Sequence, residues 1–239
     1  MKTYRIGFLT IRGGAGIMAT LFVIAAVVLG VQPQFTAAHL ALNPDQVVDR
    51  LELWQLVTYL FIPQPNPFSI LISVAMVLMM GSQLEQQWGT ARLWRVVVGI
   101  GFSTATLTTL LALLLSRLGG IEVFGSHIVV LIVWVGVGLS HRRSLMNFWS
   151  LPVTGYTFAA IGMAFSVFDG LFRSWLLIVP DLIAGGLTFL VVHEGFPANA
   201  WLRFRGWQLD RQLKKRSSHL KGIDGGKRNV GGDSDKYLH

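Results

Sequence analysis

Two carboxylates in or beside long apolar runs are the residues whose chemistry most needs a partner. Asp181 lies in Pro180-Asp-Leu-Ile-Ala-Gly-Gly186, and Glu85 lies at the end of an apolar stretch. An acid at membrane depth is costly unless a specific group satisfies it. Each therefore predicts a functional site or a specific contact. For Asp181, capping a helix broken by proline or facing water outside the membrane is the alternative.

Glu85 belongs to a regular pattern, because Gly81, Glu85 and Gly89 recur every fourth residue. On a helix these residues share one face. Gly81 would leave room for a neighbouring helix, Gly89 would follow the end of its own helix, and Thr90 would cap the next. The Glu85 carboxylate is then expected to accept backbone N–H groups within the hairpin that it closes. An ordinary helical hairpin with a polar turn is the alternative.

The composition predicts a membrane protein. The 239 residues are 52% hydrophobic and 13% charged, and the mean hydropathy is +0.55. A soluble domain carries roughly 25% charged residues. The absence of cysteine excludes disulfides, thiol catalysis and cysteine metal sites. No metal or cofactor is expected. The net charge of +8 does not predict nucleic-acid binding, because half of the Lys and Arg residues follow Trp201.

Apolar runs predict an all-α protein with six membrane-spanning helices, the first of them uncleaved. Between the first two spans, residues 47–61 have helical apolar periodicity with clustered charges, which predicts an amphipathic helix at the membrane interface. The hydroxyl-rich third span is expected at the centre of the bundle. The predicted spans are 15–31, 67–86, 91–115, 123–139, 152–168 and 175–192.

The distribution of basic residues predicts the orientation of these spans. Seventeen of the 20 Lys and Arg residues lie on the side that holds both termini, so both termini are expected in the cytoplasm. Residues 1–198 are predicted to form the membrane domain. The basic tail 199–239 is expected either to lie on anionic lipid or to be solvated, with disorder after about residue 222.

Three motifs together resemble the rhomboid superfamily, which includes the derlins. They are Trp54-Gln-Leu-Val-Thr58, then Gly81-x3-Glu85-x3-Gly89-x2-Arg92, then Leu151-Pro152-Val153. The resemblance covers about residues 51–197. It implies a six-helix rhomboid-like bundle, in which Trp54 and Thr58 anchor the first loop. The family's usual Trp-Arg is replaced here by Trp54-Gln55.

The resemblance also implies a test for protease chemistry. Rhomboid proteases use a serine in Gly-x-Ser-Gly at the start of span four and a histidine in span six. The serine candidate is Ser126, but Phe124 and His127 occupy the two glycine positions. The oxyanion-side His and Asn of span two are replaced by Ser69 and Ser73.

The base required by a serine nucleophile is missing from its expected place. His193 lies at the inner end of span six, about 15–20 Å from its outer third at ~1.5 Å per residue. His127 is adjacent to Ser126, and consecutive helical side chains point apart. Asp181 stands where the dyad would otherwise be, and we expect it to pair with His127. Gly185 and Gly186 are expected to permit close helix packing.

These observations favour a rhomboid-like pseudoprotease that binds other membrane proteins laterally or helps their quality control, without being an enzyme. One alternative is an intramembrane serine protease with Ser126 as nucleophile, for which His127 and Asp181 are further catalytic candidates. A small transporter using the polar third span and Asp181 is another. The expected partners are the bilayer, transmembrane segments of other proteins and anionic lipid.

Overall fold

The computed structural model describes residues 4–6, 9–11, 13–115, 120–148 and 151–193. Within them the protein is all-α apart from two short antiparallel hairpins. The basic tail lies outside the described residues. The elements are β1 (Tyr4–Ile6), β2 (Leu9–Ile11), α1 (Gly13–Val31), α2 (Pro33–Leu40), α3 (Pro44–Asp49), α4 (Gln55–Thr58), a 3₁₀ turn (Tyr59–Phe61), α5 (Pro67–Met76), a π-helical turn (Val77–Gly81), α6 (Ser82–Trp88), α7 (Thr90–Leu114), α8 (Ser126–Ser140), β3 (Leu145–Phe148), β4 (Leu151–Thr154), α9 (Gly155–Arg173), a 3₁₀ turn (Trp175–Leu177) and α10 (Ile178–His193).

Five of the described helices are long and apolar enough to cross a membrane: Gly13–Val31, Pro67–Trp88, Thr90–Leu114, Gly155–Phe172 and Trp175–His193. The predicted fourth span is the shorter apolar helix α8. Its 15 residues extend about 22 Å, less than the ~30 Å of a hydrocarbon core. Most of α8 is buried by the other helices, so the protein and not lipid surrounds it.

The start of the fifth span differs from the prediction. Residues 151–154 form β4, where Pro152 lies opposite Asn147 of β3. Helix α9 begins only at Gly155, after Thr154, whose hydroxyl oxygen accepts the Thr157 N–H at 3.3 Å. Proline is compatible with an edge strand as well as with a first helical turn. The local sequence therefore did not distinguish a strand from the first turn of a helix.

The first loop is not the single interfacial helix predicted for residues 47–61. It breaks into α3, α4 and a 3₁₀ turn, with Leu51 in the left-handed region at a φ of 57°. Tyr59 is fully buried, and its hydroxyl donates to the Gly101 carbonyl of α7 at 2.8 Å. A side chain at Gly101 would overlap Leu60. The loop therefore enters the bundle against α7.

Side chains of α4 and its flanks attach the loop to the end of α2. The Trp54 indole N–H donates to the His39 carbonyl at 2.9 Å. The Thr58 hydroxyl donates to the Leu40 carbonyl at 3.0 Å. These contacts are of the kind expected for residues that anchor the first loop.

Gln55, noted above only as a departure from the family pattern, is a fully buried hydrogen-bonding centre. Its side-chain carbonyl accepts the Asn43 N–H at 3.0 Å. Its amide nitrogen, which carries two hydrogens, lies 2.7 Å from Glu52 and 2.9 Å from Gln46, with the Ala38 carbonyl as a third, longer neighbour at 3.3 Å. A neutral amide can do this because it is both donor and acceptor.

The Glu85 carboxylate joins α6 to the N-terminus of α1. Oε1 accepts the Gly14 N–H at 3.0 Å, and Oε2 accepts the Ala15 N–H at 2.9 Å. The Thr90 hydroxyl also donates to Oε1. The prediction that Glu85 accepts backbone N–H groups is therefore right, but the partner is another helix and not its own hairpin. Thr90 begins α7 and is not its N-cap.

The glycines around Glu85 have different roles. A Cβ built at Gly81 would lie 3.3 Å from the Ala15 Cβ, which confirms that a neighbouring helix approaches closely there. Gly89 has a φ of +78° at the end of α6, as expected for a residue that ends a helix. Arg92 lies over the Trp88 ring, 5.3 Å from its centroid.

The two glycines of α10 also differ. A Cβ at Gly185 would overlap the Met163 side chain of α9, so close packing is present at this position. A Cβ at Gly186 would meet no atom within 4 Å. The close packing predicted for Gly186 is therefore wrong.

Replacing Glu85 tests its structural role. Glu85→Gln keeps one acceptor oxygen but places an NH₂ group against N–H donors, so a charge-assisted bond is lost and a buried donor is left unpaired. We expect a loss of about 3 kcal/mol in stability, which corresponds to a fall of about 6–12 °C in melting temperature. Tryptophan fluorescence during heating in detergent measures it. Glu122→Gln, in an exposed loop position, should change stability by less than about 0.5 kcal/mol. Equal effects of the two variants would contradict this role.

Candidate functional site

The bundle has two ends, here named the Ser126 end, where α8 begins, and the Glu85 end, where α6 finishes. At the Ser126 end, His127 Nε2 lies 2.9 Å from Asp181 Oδ1. The Ser166 hydroxyl donates to Asp181 Oδ2 at 2.7 Å. Asp181 is fully buried, and His127 is mostly buried. The predicted contact between Asp181 and His127 is present, and it links α8, α9 and α10.

The chemistry of the groups gives the direction of each hydrogen bond. An ionised carboxylate only accepts hydrogen bonds, so His127 Nε2 carries the hydrogen in the contact with Asp181. His127 Nδ1 is enclosed and has no hydrogen-bond partner among the described residues. The imidazole is therefore oriented by Asp181, and its other nitrogen is not occupied by Ser126.

Ser126 itself is 1% exposed and lies under the first loop. Its N–H donates to the Ile62 carbonyl at 3.3 Å, and the Gly125 N–H donates to the Tyr59 carbonyl at 2.9 Å. Within the described chain, no hydrogen bond joins the Ser126 hydroxyl to an imidazole or a carboxylate. An acyl-transfer site needs an activating base and free donors for the oxyanion. The first loop occupies two such backbone donors.

His193 lies at the opposite end of the bundle, as the sequence predicts. Its Nε2 is 3.0 Å from the Tyr156 hydroxyl, and its carbonyl accepts from Arg142 at 3.1 Å. Arg142 comes just after α8 ends, whereas Ser126 begins that helix. At ~1.5 Å per residue the two ends of α8 are about 22 Å apart. His193 therefore does not serve Ser126 as a base.

Beside the cluster of Asp181, His127 and Ser166, a lateral groove of about 580 Å³ opens between α5, α8 and α9. Its volume is in the range of ligand-binding cavities. Its lining is apolar except at the Ser126 end. The polar lining residues are His127, Ser166 and Asp169, and the apolar ones are Phe68, Ile72, Met76, Val130, Leu131, Trp134, Gly162 and Phe165.

At the end of the groove nearer Glu85, the Trp134 indole forms the floor. Its N–H donates to the Phe158 carbonyl at 3.0 Å, which fixes the ring against α9. A Cβ at Gly162 would lie 2.6 Å from Trp134 Cδ1, so the ring can rest there only because residue 162 is glycine. Phe165 also lines a smaller adjoining depression of about 330 Å³ on α9.

The hydroxyls of α7 divide into two groups. The half-buried Ser103 and Thr106 donate to the carbonyls four residues earlier, each at 2.8 Å. The buried Thr104, Thr108 and Thr109 have no hydrogen-bond partner among the described residues. They lie on the buried face that also holds Gly101, where the first loop enters.

Sequence reasoning did not find Ser166, Trp134 or Gly162 as site residues. One signal was available for Ser166, since it precedes Asp169 by three residues and so shares a helical face with it. Gly162 and Trp134 had no such signal. Their importance depends on the contact between α8 and α9, which sequence spacing does not reveal.

The family model described as eukaryotic integral membrane protein (DUF1751) matches residues 15–140. This is just over half of the chain. The chain belongs to that family. It is thus an integral, multi-pass membrane protein. The match runs from the first turn of α1 to the end of α8, including Glu85, Ser126 and His127, and ends before Asp181. No curated protein matches the chain.

A double-mutant cycle tests the His127–Asp181 contact. We expect Asp181→Asn and His127→Ala each to lower stability, and the double variant to lose about 1–3 kcal/mol less than the sum, because one contact is lost in both single variants. Thermal unfolding in detergent measures the four proteins. As a control, Asp181→Asn should be additive with His193→Ala to within about 0.5 kcal/mol, because the residues lie at opposite ends. Additivity of the first pair would mean that the contact contributes nothing.

Proposed function

We propose that this membrane protein is a non-proteolytic relative of the rhomboids that binds transmembrane segments of other membrane proteins, for recognition or quality control. The resemblance in the Trp54, Glu85 and Pro152 motifs supports the relationship. We further propose that both termini are cytoplasmic, as the basic residues indicate, and that the basic tail contacts anionic lipid.

One observation carries the non-proteolytic part of this proposal. At the start of α8, the N–H groups of Gly125 and Ser126 donate to carbonyls of the first loop. Groups that stabilise an oxyanion must be free and directed at the developing charge. Here they instead stabilise a buried helix N-terminus, and Ser126 is covered. Among the described residues, a substrate carbonyl would thus meet a covered hydroxyl and backbone donors that are already paired.

The lateral groove supports the binding part. Its walls α5 and α9 both belong to candidate membrane spans, so an occupant would enter from the bilayer. Phe165 lines both the groove and the smaller depression on α9, and so forms a ridge between them. One face of a transmembrane helix carries bulky side chains on successive turns, which could fill a depression on each side of that ridge. The polar residues at the Ser126 end of the groove would contact the polar end of such a segment.

Labelling with a serine-reactive fluorophosphonate tests whether proteolytic chemistry remains. We expect the purified protein in detergent and in liposomes to label no more than Ser126→Ala, because no imidazole or carboxylate of the described residues is hydrogen-bonded to the hydroxyl. A serine hydrolase in the same preparation serves as the positive control. Labelling that disappears in Ser126→Ala would replace our proposal with the protease alternative.

Photo-crosslinking tests the groove. Benzoylphenylalanine at Ile72, which lines the groove, is expected to form discrete adducts with membrane proteins in native membranes. The same group at Ile24, exposed on α1, should not form them. Gly162→Ala should reduce the Ile72 adducts severalfold, because Trp134 must move and the groove floor changes with it.

Gly186→Ala is the matched control, because its new methyl group meets no atom within 4 Å. It should leave the adducts unchanged. Equal crosslinking at Ile72 and Ile24, or adducts insensitive to Gly162→Ala, would count against the groove as the binding site.

A further inference from the structure

The hairpin β3–β4 lies at the Glu85 end of the bundle, because β3 follows the end of α8. It is a two-stranded sheet in which Leu145–Phe148 pairs antiparallel with Leu151–Thr154. Each strand therefore has one edge that faces its partner and one edge that does not. An unpaired edge offers N–H and C=O groups to another chain. The register decides which of the two outer edges can accept a further strand.

The register assigns the outward backbone groups to particular residues. Pro152 lies opposite Asn147 and has no N–H, so this pair cannot exchange two hydrogen bonds. In an antiparallel ladder, pairs that exchange two bonds alternate with pairs that exchange none, and the backbone groups of the latter point away from the partner strand. On β3 the outward groups therefore belong to Leu145 and Asn147. On β4 they belong to Pro152 and Thr154.

The two outer edges differ in what they offer. Pro152 removes a donor from the β4 edge, as prolines do on edge strands. Thr154 is the N-cap of α9, and an N-cap residue uses its carbonyl for the first bond of the helix. The β3 edge keeps the N–H and C=O groups of Leu145 and Asn147. In the described part of the chain, no backbone–backbone hydrogen bond from outside the hairpin reaches these two residues. The β4 edge is thus blunted, whereas the β3 edge is open.

The bundle holds the open edge in place. Met146 and Val153 lie opposite each other in the hairpin, and both pack against the core. A Cβ at Gly155, directly after β4, would overlap the carbonyl oxygens of Gly138 and His141, so the hairpin is joined tightly to the end of α8. A strand that is already fixed loses little conformational freedom when another strand pairs with it.

Positive charge lies directly before β3. The Arg142 guanidinium donates to the Leu139 carbonyl at 3.3 Å and to the His193 carbonyl at 3.1 Å, and both of these acceptors are neutral. Arg143 is exposed. Neither arginine forms an ion pair with an acid of the described residues. A partner with acidic residues beside the start of β3 is therefore complementary in charge.

We propose that the β3 edge is a docking site for an extended peptide of a cytoplasmic partner. The peptide adds to the sheet as a third, antiparallel strand and carries acidic residues just after that strand. Antiparallel pairing places the carboxyl end of the added strand beside the amino end of β3, where Arg142 and Arg143 lie. Backbone bonds to Leu145 and Asn147 hold the strand, and the charges select the partner.

The location of this partner follows from the orientation of the bundle. The hairpin lies at the end where α1 begins and α10 finishes, the end that the proposed orientation places in the cytoplasm. No residue of the hairpin lines the lateral groove. The docking site therefore goes beyond the proposed function, and binding at one site can be present without binding at the other.

Fluorescence anisotropy with a defined peptide tests the docking. The probe is fluorescein-labelled Thr-Val-Thr-Val-Asp-Glu-Asp, titrated with the full-length protein in detergent. The control peptide has the same sequence, with the four amides of Thr-Val-Thr-Val N-methylated, so that it keeps its charge and loses the donors of the added strand. We expect the control to bind at least about tenfold more weakly.

Variants of the protein form the second arm. Asn147→Pro places on β3 the type of residue that blunts β4. The N–H at this position points outward, so the bonds of the hairpin itself remain, and thermal unfolding checks the fold. Affinity for the probe should fall about tenfold. Asn147→Ala, which keeps the N–H, should bind like the unmodified protein.

The charge is tested separately from the strand. Arg143→Gln should weaken binding severalfold and reduce its dependence on salt, because one exposed cation is removed. Arg50→Gln, in the first loop at the Ser126 end, should change neither. Asn147→Pro leaves every charge of the protein in place, so binding that depends on charge alone is unchanged in that variant.

Equal binding of the two peptides, or unchanged affinity in a folded Asn147→Pro protein, would mean that charge alone attracts the probe and would overturn the added strand. If Asn147→Pro does not fold, the comparison of the two peptides decides. The titrations are repeated in nanodiscs of phosphatidylcholine with and without phosphatidylserine. A difference between the peptides that disappears with phosphatidylserine would assign this surface to lipid headgroups and overturn the proposal.

Discussion

The Glu85 carboxylate at the N-terminus of α1 is the contact on which the arrangement of the first three spans depends. The first N–H groups of any helix have no partner within the helix, and hydrocarbon offers none. Here Gly14 and Ala15 donate to the two carboxylate oxygens, and the negative charge also lies at the positive end of the helix dipole. Because Thr90 donates to the same carboxylate, one side chain fixes the relative positions of α1, α6 and α7.

That contact requires small residues around it. A Cβ at Gly14 would lie 2.7 Å from the Thr90 methyl group and 2.9 Å from Glu85 Oε1. Gly81, one turn before Glu85, keeps α1 close enough for its N–H groups to reach. The Gly-x3-Glu spacing in the sequence is therefore a packing requirement of a buried hydrogen bond. It identifies a scaffold at the end of the bundle opposite Ser126.

The sequence predicted the positions of the membrane helices to within a few residues, because a long apolar run in a membrane forms a helix in nearly every case. It also predicted the Asp181–His127 contact. A buried acid needs a polar partner, and an apolar bundle contains few polar side chains that could be that partner. It did not predict the partner of Glu85, the entry of Tyr59 into the bundle or the Trp134–Gly162 contact. Each of these depends on which surfaces meet in three dimensions, and periodicity along one segment does not contain that information. The π turn was missed because residues 74–80 are all apolar, so the rotation of about 100° that an extra residue causes leaves no mark in the pattern.

The first loop also supports the start of α8 inside the protein. Buried backbone groups must be paired, and the short helix α8 starts inside the protein. The carbonyls of Tyr59 and Ile62 pair the N–H groups of Gly125 and Ser126, and this stabilises the start of α8 while removing the donors that an oxyanion would need. The stability of the Ser126 end thus follows from the way in which the first loop pairs these two groups.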